Sequence, residues 1–323
     1  MDDDSQTPLD PIRIGISSCL LGEEVRFDGG HKQDRYLTGT LSQYFEWVPV
    51  CPEVEVGLGT PRETIRLVQI GDETRLRTAK TDLDLTDRME KFSKKRVVAL
   101  AKDNLSGYIF KKDSPSCGME RVKVYRPNAP GRRVGTGVFA NAFLDRFPNL
   151  PVEEEGRLCD PRLRENWVER VFAYHALQQL WETRWRVKNL IDFHTRHKFV
   201  LQSHDEAKYR ELGRLVANAK STPRNELREQ YEMIFMAALK RVATVRKNVN
   251  VLQHMLGFFS KELEEASRHE LVTHIDDYRR GLIPLVVPMT LIRHYVRLLE
   301  VEYLQDQVYL NPHPKELALR NHV

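Results

Sequence analysis

The sequence predicts an α/β domain with an open sheet in Rossmann-like layers, followed by an all-α domain. Three observations point there. Before about residue 160, short β-branched runs alternate with a helical stretch. Beyond Asp160-Pro161 the chain turns to long, charged stretches of helical period with almost no glycine. At 323 residues the chain also exceeds what one hydrophobic core usually supports. We therefore expect domains over 1–160 and 161–323, joined near 150–162, where Pro151, Glu153-Glu154-Glu155-Gly156 and Pro161 gather.

In the first domain, Ile12 to Cys19, Trp47 to Cys51 and Gly107 to Lys111 are the strand candidates. Between the last two, Met89, Phe92, Val97 and Leu100 recur at roughly helical spacing over 86–102. Asp87 and Glu90 stand near the start, where the helix dipole favours them. In the second domain the helical stretches are 164–186, 204–219, 224–241, 249–267 and 289–305. Pro223, Pro284 and Pro288 mark starts or turns, and Met255, Phe258 and Phe259 read as core.

Composition narrows the class. Hydrophobic residues make up 41% of the chain, which excludes disorder, and no apolar run approaches the ~18 residues of a membrane span. The opening MDDDSQTPLD is acidic and polar, the reverse of a secretory signal, so we expect a soluble cytoplasmic protein. Up to residue 160 there are 24 basic and 26 acidic residues, against 26 and 20 beyond it, so the positive excess belongs to the second domain. Ten of eleven histidines lie there too.

Four cysteines are too few for a disulfide scaffold, and a reducing compartment leaves them as thiols. Cys19, Cys51 and Cys117 each follow a strand candidate, and ligands of open α/β sheets bind beyond the carboxyl ends of the strands. Separations of 32 and 66 residues match no zinc-ribbon or ferredoxin spacing, so buried structural thiols compete with a metal site. Turn formers and small polar residues flank all three, in Ser17-Ser18-Cys19, Val50-Cys51-Pro52-Glu53 and Ser114-Pro115-Ser116-Cys117-Gly118, which favours the site.

Those segments carry a resemblance. Ser18-Cys19-Leu20-Leu21-Gly22 with Val25-Arg26-Phe27-Asp28-Gly29, Cys51-Pro52-Glu53 with Gly57-Leu58 and Pro61-Arg62, and Lys112-Asp113-Ser114-Pro115-Ser116-Cys117-Gly118 are similar to the signature of the thiouracil desulfurase (desulfidase) family. Arg77-Thr78-Ala79-Lys80-Thr81 and Gly135-Thr136-Gly137-Val138-Phe139 resemble its remaining blocks, and the likeness covers most of 12–150. The resemblance implies a [4Fe-4S] cluster held by Cys19, Cys51 and Cys117, with one iron left open as a sulfur-binding acid. It also implies catalytic roles for Glu53, which would activate water, and Ser114, which would pass a proton or hold the ring. Ser116 competes for the part of Ser114, and Glu55 is the weaker acid candidate. Arg26, Asp28 and Arg62 are candidates for shaping the pocket. Cys159, outside the family blocks, is expected to be a free, partly buried structural thiol.

The second half resembles the helical domain of unknown function often fused to this module, in Phe193-His194-Thr195-Arg196-His197-Lys198, Val249 to Met255, Tyr278 to Leu282, Pro284-Leu285 and Leu319-Arg320-Asn321-His322. For two-domain members the resemblance implies action on 4-thiouridine in tRNA, with the helical domain as the RNA grip and no membrane partner. Basic clusters at Arg184, Arg186 and Lys188, at Arg196 and Lys198, at Lys240-Arg241 with Arg246-Lys247, and at Arg279-Arg280 are compatible with a phosphate backbone, although solvated helix faces look the same. His194, His197 and His204 invite a metal reading because i and i+3 share a helix face, but no acidic or cysteine partner stands at a characteristic offset, so we read them as structural. Two other functions stay open: desulfuration of free thiouracil or thionucleotides, and a non-catalytic iron-sulfur regulatory protein.

Overall fold

The structure is a computed structural model that describes residues 11–126 and 129–322; the acidic opening lies outside it. The chain divides into two compact units, one ending at Cys159 and the other beginning at Asp160.

The first unit contains β1 (Ile12–Ser17), β2 (Phe45–Val50), α1 (Pro52–Glu55), β3 (Ile65–Ile70), β4 (Glu73–Thr78), α2 (Thr86–Leu100), β5 (Gly107–Phe110), β6 (Val122–Arg126), β7 (Ala129–Gly135), α3 (Val138–Arg146) and β8 (Val152–Glu154). One sheet runs β2-β1-β5-β8 with every pairing parallel. The last four residues of β1 and all of β5 are buried, as expected of strands covered on both faces. The chain leaves β1 for β2 on one side and adds β5 on the other, so β1 is the strand at which the order reverses. The core behind it is aromatic: Tyr108 lies 4.5 Å and Phe110 5.4 Å from the Phe143 ring, centroid to centroid. Gly15 is required here, because a Cβ at that position would stand 2.2 Å from the Tyr108 ring.

The open parallel sheet and α2 agree with the sequence expectation. A second sheet, β4-β3-β6-β7, does not appear in it. There β3 pairs antiparallel with β4 and parallel with β6, and β6 pairs antiparallel with β7. Strand β4 carries few apolar residues, in Glu73-Thr74-Arg75-Leu76-Arg77-Thr78, and only one face of the sheet reaches the cluster of Leu67, Leu76, Val122, Val124, Leu85 and Met89. A one-faced strand rich in arginine has too few apolar residues to stand out in the sequence.

The second unit is helical throughout its regular structure: α4 (Pro161–Glu182), α5 (Val187–Arg196), α6 (Lys198–His204), α7 (Glu206–Ala217), α8 (Arg224–Leu239), α9 (Val245–Phe259), α10 (Glu265–Arg279), α11 (Val286–Leu298) and α12 (Glu302–Gln305). Asp160 caps α4, accepting the Arg162 and Leu163 N–H groups at 2.9 and 3.1 Å, with Pro161 in the first turn. Asp205 caps α7 in the same way, which assigns His204 to the end of α6 rather than to the start of the next helix. The stretch 249–267 is likewise two elements, since α9 ends at Phe259 and α10 begins at Glu265. Met255 and Phe259 are core, but Phe258 is 44% exposed, a correction that follows from its place on the outer side of α9. Among the described residues no helix is long and apolar enough to cross a membrane.

A buried ionic knot ties this unit together. Arg320 reaches Glu169 at 3.1 Å and Glu165 at 3.4 Å and donates to the Tyr309 carbonyl at 2.7 Å, while His204 Nε2 stands 3.2 Å from Glu169. Burial alone would raise the Glu169 carboxyl, but Arg320 and His204 outweigh it and hold it at about 2. A carboxyl depressed on folding stabilises the fold fully above its unfolded value near 4.5 and loses that contribution as pH falls towards about 2. We expect the unfolding free energy from urea melts to fall through this window by about 3 kcal/mol more in the parent chain than in Glu169→Gln. Parallel pH profiles for the two proteins would contradict this.

Candidate active site

The first unit holds a cavity of about 300 Å³ beyond the carboxyl ends of β1, β2 and β5. This is where an α/β sheet presents ligands, at the point where strand order reverses. Cys19, Cys51, Cys117, Glu53 and Ser114 all line it, so residues distant in sequence meet at one place.

Each cysteine is set by its own local device. Cys19 sits in a single 3₁₀ turn, Ser18–Leu21, that ends at Gly22 with φ +100°. Its carbonyl accepts the Lys32 N–H at 2.8 Å. Cys51 precedes α1, which starts on Pro52, and its N–H donates to the Glu55 carboxylate at 2.9 Å. Glu55 also pairs with Arg96 at 2.8 Å, so it positions the turn and does not line the cavity. Cys117 follows β5 in a loop folded around Ser114, whose hydroxyl accepts the N–H groups of Ser116 at 3.2 Å and Cys117 at 3.0 Å.

The start of α3 locks that loop. The N–H groups of Val138, Phe139 and Ala140, which have no partner inside the helix, donate to the carbonyls of Pro115 and Ser116 at 3.0–3.1 Å. Gly137 makes this approach possible, since a Cβ there would lie 2.5 Å from the Ser116 carbonyl and 2.8 Å from the Cys117 nitrogen, all backbone. Gly137→Ala is expected to destabilise the unit by about 1–3 kcal/mol and to displace the Cys117 loop. A thermal melt and thiol-labelling rate indistinguishable from the parent's would refute it.

Burial pushes the Cys19 thiol up to about 11, against the pull of Lys111. Burial also raises Cys51, and fully buried Cys117 rises well above the ordinary thiol range. Ionising Cys51 would raise Cys19 and Cys117 further. Such thiols become thiolates only against a strong local positive charge such as a metal centre supplies. Among the described residues no trio of His, Cys, Asp or Glu closes around a single metal ion. A cluster makes a different demand, because its thiolates bind different irons and stand apart. Three soft donors on separate segments around one cavity, Cys117 buried and Cys19 and Cys51 half-buried, fit that demand.

Beside the thiols is an acid with a fixed orientation. The Glu53 carboxylate is paired with Arg62, and the Ser114 hydroxyl donates to Glu53 Oε1 at 3.5 Å. Arg62 is itself anchored to the Val25 and Gly59 carbonyls at 2.9 and 3.0 Å. With its oxygen already accepting two N–H groups, Ser114 has its proton left for Glu53. The competing hydroxyl of Ser116 is buried away from the cavity. Arg26 lines the cavity, whereas Asp28 is spent on Arg26 at 3.3 Å, and Cys159 is exposed and outside it. Sequence reasoning missed Ser17 and Lys111. The Ser17 hydroxyl accepts the Lys111 N–H at 3.0 Å and lies close enough to the Cys117 thiol to pull its pKa down against burial. Ser17 ends β1 and Lys111 follows β5, and those positions were the available signal.

In the second unit the three histidines do not converge. His197 stacks on Phe193, His194 contacts Tyr231 Oη at 3.2 Å, and His204 belongs to the ionic knot. Burial lowers His194 and His197 to about 4.

Comparison with known proteins places this geometry. The profile of the 2-thiouracil desulfurase family matches residues 14–155, and that of a protein family of unknown function, DUF1722, matches 198–314. Uncharacterized protein YbgA of Escherichia coli is 33% identical over 161 residues, 50% of this chain and 95% of that protein. Uncharacterized protein YbbK of Bacillus subtilis is 30% identical over 152 residues, 46% of this chain and 98% of its own. A solved structure of a [4Fe-4S]-dependent thiouracil desulfidase, TudS, is 28% identical, with a TM-score of 0.38 over 46% of this chain and 93% of that one. The chain belongs to the 2-thiouracil desulfurase family through its first unit and carries a DUF1722 domain in its second.

Proposed function

We propose that this chain converts 4-thiouridine in tRNA to uridine without net electron transfer, releasing sulfur as hydrosulfide, with a [4Fe-4S] cluster held by Cys19, Cys51 and Cys117. The observation that carries the reading is the meeting of these three thiols with the Glu53–Ser114 pair on one cavity. Held by three thiolates, a four-iron cluster keeps one iron free of protein and supplies a soft Lewis acid suited to sulfur.

The chain's own residues do the rest. Arg62 holds the Glu53 carboxylate in place, and Glu53 takes a proton from water as its oxygen attacks the ring carbon. The C=S bond is replaced by C=O, the water oxygen stays on the base, and the departing sulfur leaves as hydrosulfide. Ser114, with its proton directed at Glu53, relays protons between the acid and the ring. A base within tRNA must leave its stack to reach a cavity of this kind. The helical unit, where the chain's positive excess lies, supports the tRNA reading as an RNA-binding partner to this site. Free thiols and an iron-sulfur cluster suit a reducing compartment, so we place the activity in the cytoplasm.

A second reading rests on the cavity belonging to the first unit alone, which suits a free thiouracil or thionucleotide as well. Anaerobically reconstituted full-length protein mixed with thiolated tRNA is expected to abolish the near-ultraviolet absorbance of the thiolated base. Thiolated tRNA left intact while free thiouracil is consumed would overturn the tRNA reading and favour the second.

A further inference from the structure

The basic clusters of the helical unit are not equivalent once their partners are known. Arg241 is spent on Asp205 at 3.1 Å, Arg210 on Glu206 at 3.2 Å, and Arg279 on Asp276. Charges paired with neighbouring carboxylates have little left for a distant phosphate.

One corner differs. Where α4 ends and α5 and α8 begin, Arg184, Arg186, Lys188, Arg224 and Arg228 are all exposed, and among the described residues none of the five forms an ion pair with a carboxylate. Two of them are held in place by tryptophan faces. The Arg224 guanidinium lies 4.8 Å from the Trp185 ring centroid and also donates to the Trp185 carbonyl, and Arg228 lies 5.8 Å from the Trp181 ring. The two indoles meet edge to face at 5.0 Å and are themselves almost buried, so they serve as a floor beneath the cations. Arg184 and Arg186 flank Trp185 in the chain, which keeps the remaining charges beside this floor.

Unpaired, exposed and partly preorganised cations without an exposed apolar face fit a polyanionic backbone. A membrane would need aromatic or aliphatic groups to insert, and Trp181 and Trp185 are 6% and 8% exposed. We propose that this corner, Arg184, Arg186, Lys188, Arg224 and Arg228, is the phosphate-backbone grip of the helical unit. The inference deepens the tRNA reading above and rests on it. It assigns sequence-independent affinity to one place on the unit and leaves the chemistry to the cavity of the first.

The test is the salt dependence of tRNA binding by full-length reconstituted protein, followed by fluorescence anisotropy. Each phosphate contact contributes about 0.7–0.9 to the slope of log K against log salt. Arg184→Gln/Arg186→Gln/Lys188→Gln touches only exposed side chains; it is expected to lower the slope by about two and the affinity at low salt by at least about tenfold, with turnover of free thiouracil unchanged. The same number of changes on α10 and at its C-cap, Arg268→Gln/Arg279→Gln/Arg280→Gln, is expected to leave the slope within about half a unit. An unaltered slope in the first variant, or an equal fall in the second, overturns the corner while the tRNA reading stands. A parent chain that binds no tRNA at any salt yet turns over free thiouracil overturns both.

Discussion

Exchanging Cys117 for serine is expected to reduce bound iron from about four per chain to nearly none after anaerobic reconstitution, and to remove turnover with it. The expectation follows from burial. The Cys117 thiol is enclosed and fixed by a loop whose carbonyls cap α3. A serine oxygen is a poor ligand for iron in a cluster and has no softness to offer sulfur chemistry. Because the substitution is nearly isosteric, the fold should hold, and the far-ultraviolet spectrum and melting curve of the apoprotein would report any loss. Cys159→Ser, an exposed position outside the cavity, should keep both iron and activity. If Cys117→Ser loads iron as well as the parent does, the cysteine trio is not the ligand set.

Glu53→Gln should lower turnover by about 10²–10⁴-fold at unchanged iron content. Gln preserves the shape and an acceptor for Ser114 and Arg62, and removes only the basic oxygen. Leaving Arg62, 6% exposed, without its counter-charge has a structural cost as well, so the melting temperature must be measured alongside. Ser114→Ala separates the two effects. It leaves the Glu53–Arg62 pair intact but removes the proton path and one acceptor for the Cys117 N–H, and should also slow turnover. Full activity in both variants would remove the acid–hydroxyl pair from the mechanism.

Much of this site could be read in the sequence because the topology does local work. A cysteine directly after a β-branched run lands at the carboxyl end of a strand, and parallel strands bring those ends to one edge. Ser114 and Glu53 were legible from the blocks around them. Arg62 was visible only as a candidate for pocket shape, and its pairing with Glu53 emerges from a loop that returns to the cavity. Ser17 and Lys111 were hidden, because a residue at a strand end reads as strand until its neighbour across the sheet is known. In the helical unit, periodicity revealed helices but not their breaks, since Asp205 is a cap only when its side chain turns to Ala207 and Lys208. The second sheet escaped notice because β3 and β4 bury one face and dress the other with arginine and glutamate.

The most direct test of the central claim is the Mössbauer spectrum of protein reconstituted with isotopically enriched iron, recorded before and after hydrosulfide is added. The account predicts a four-iron cluster in which one iron changes its signal and the other three keep theirs, with no such spectrum from the Cys19, Cys51 or Cys117 variants. Four irons that stay equivalent throughout, or a chain that holds no cluster after reconstitution, would contradict it.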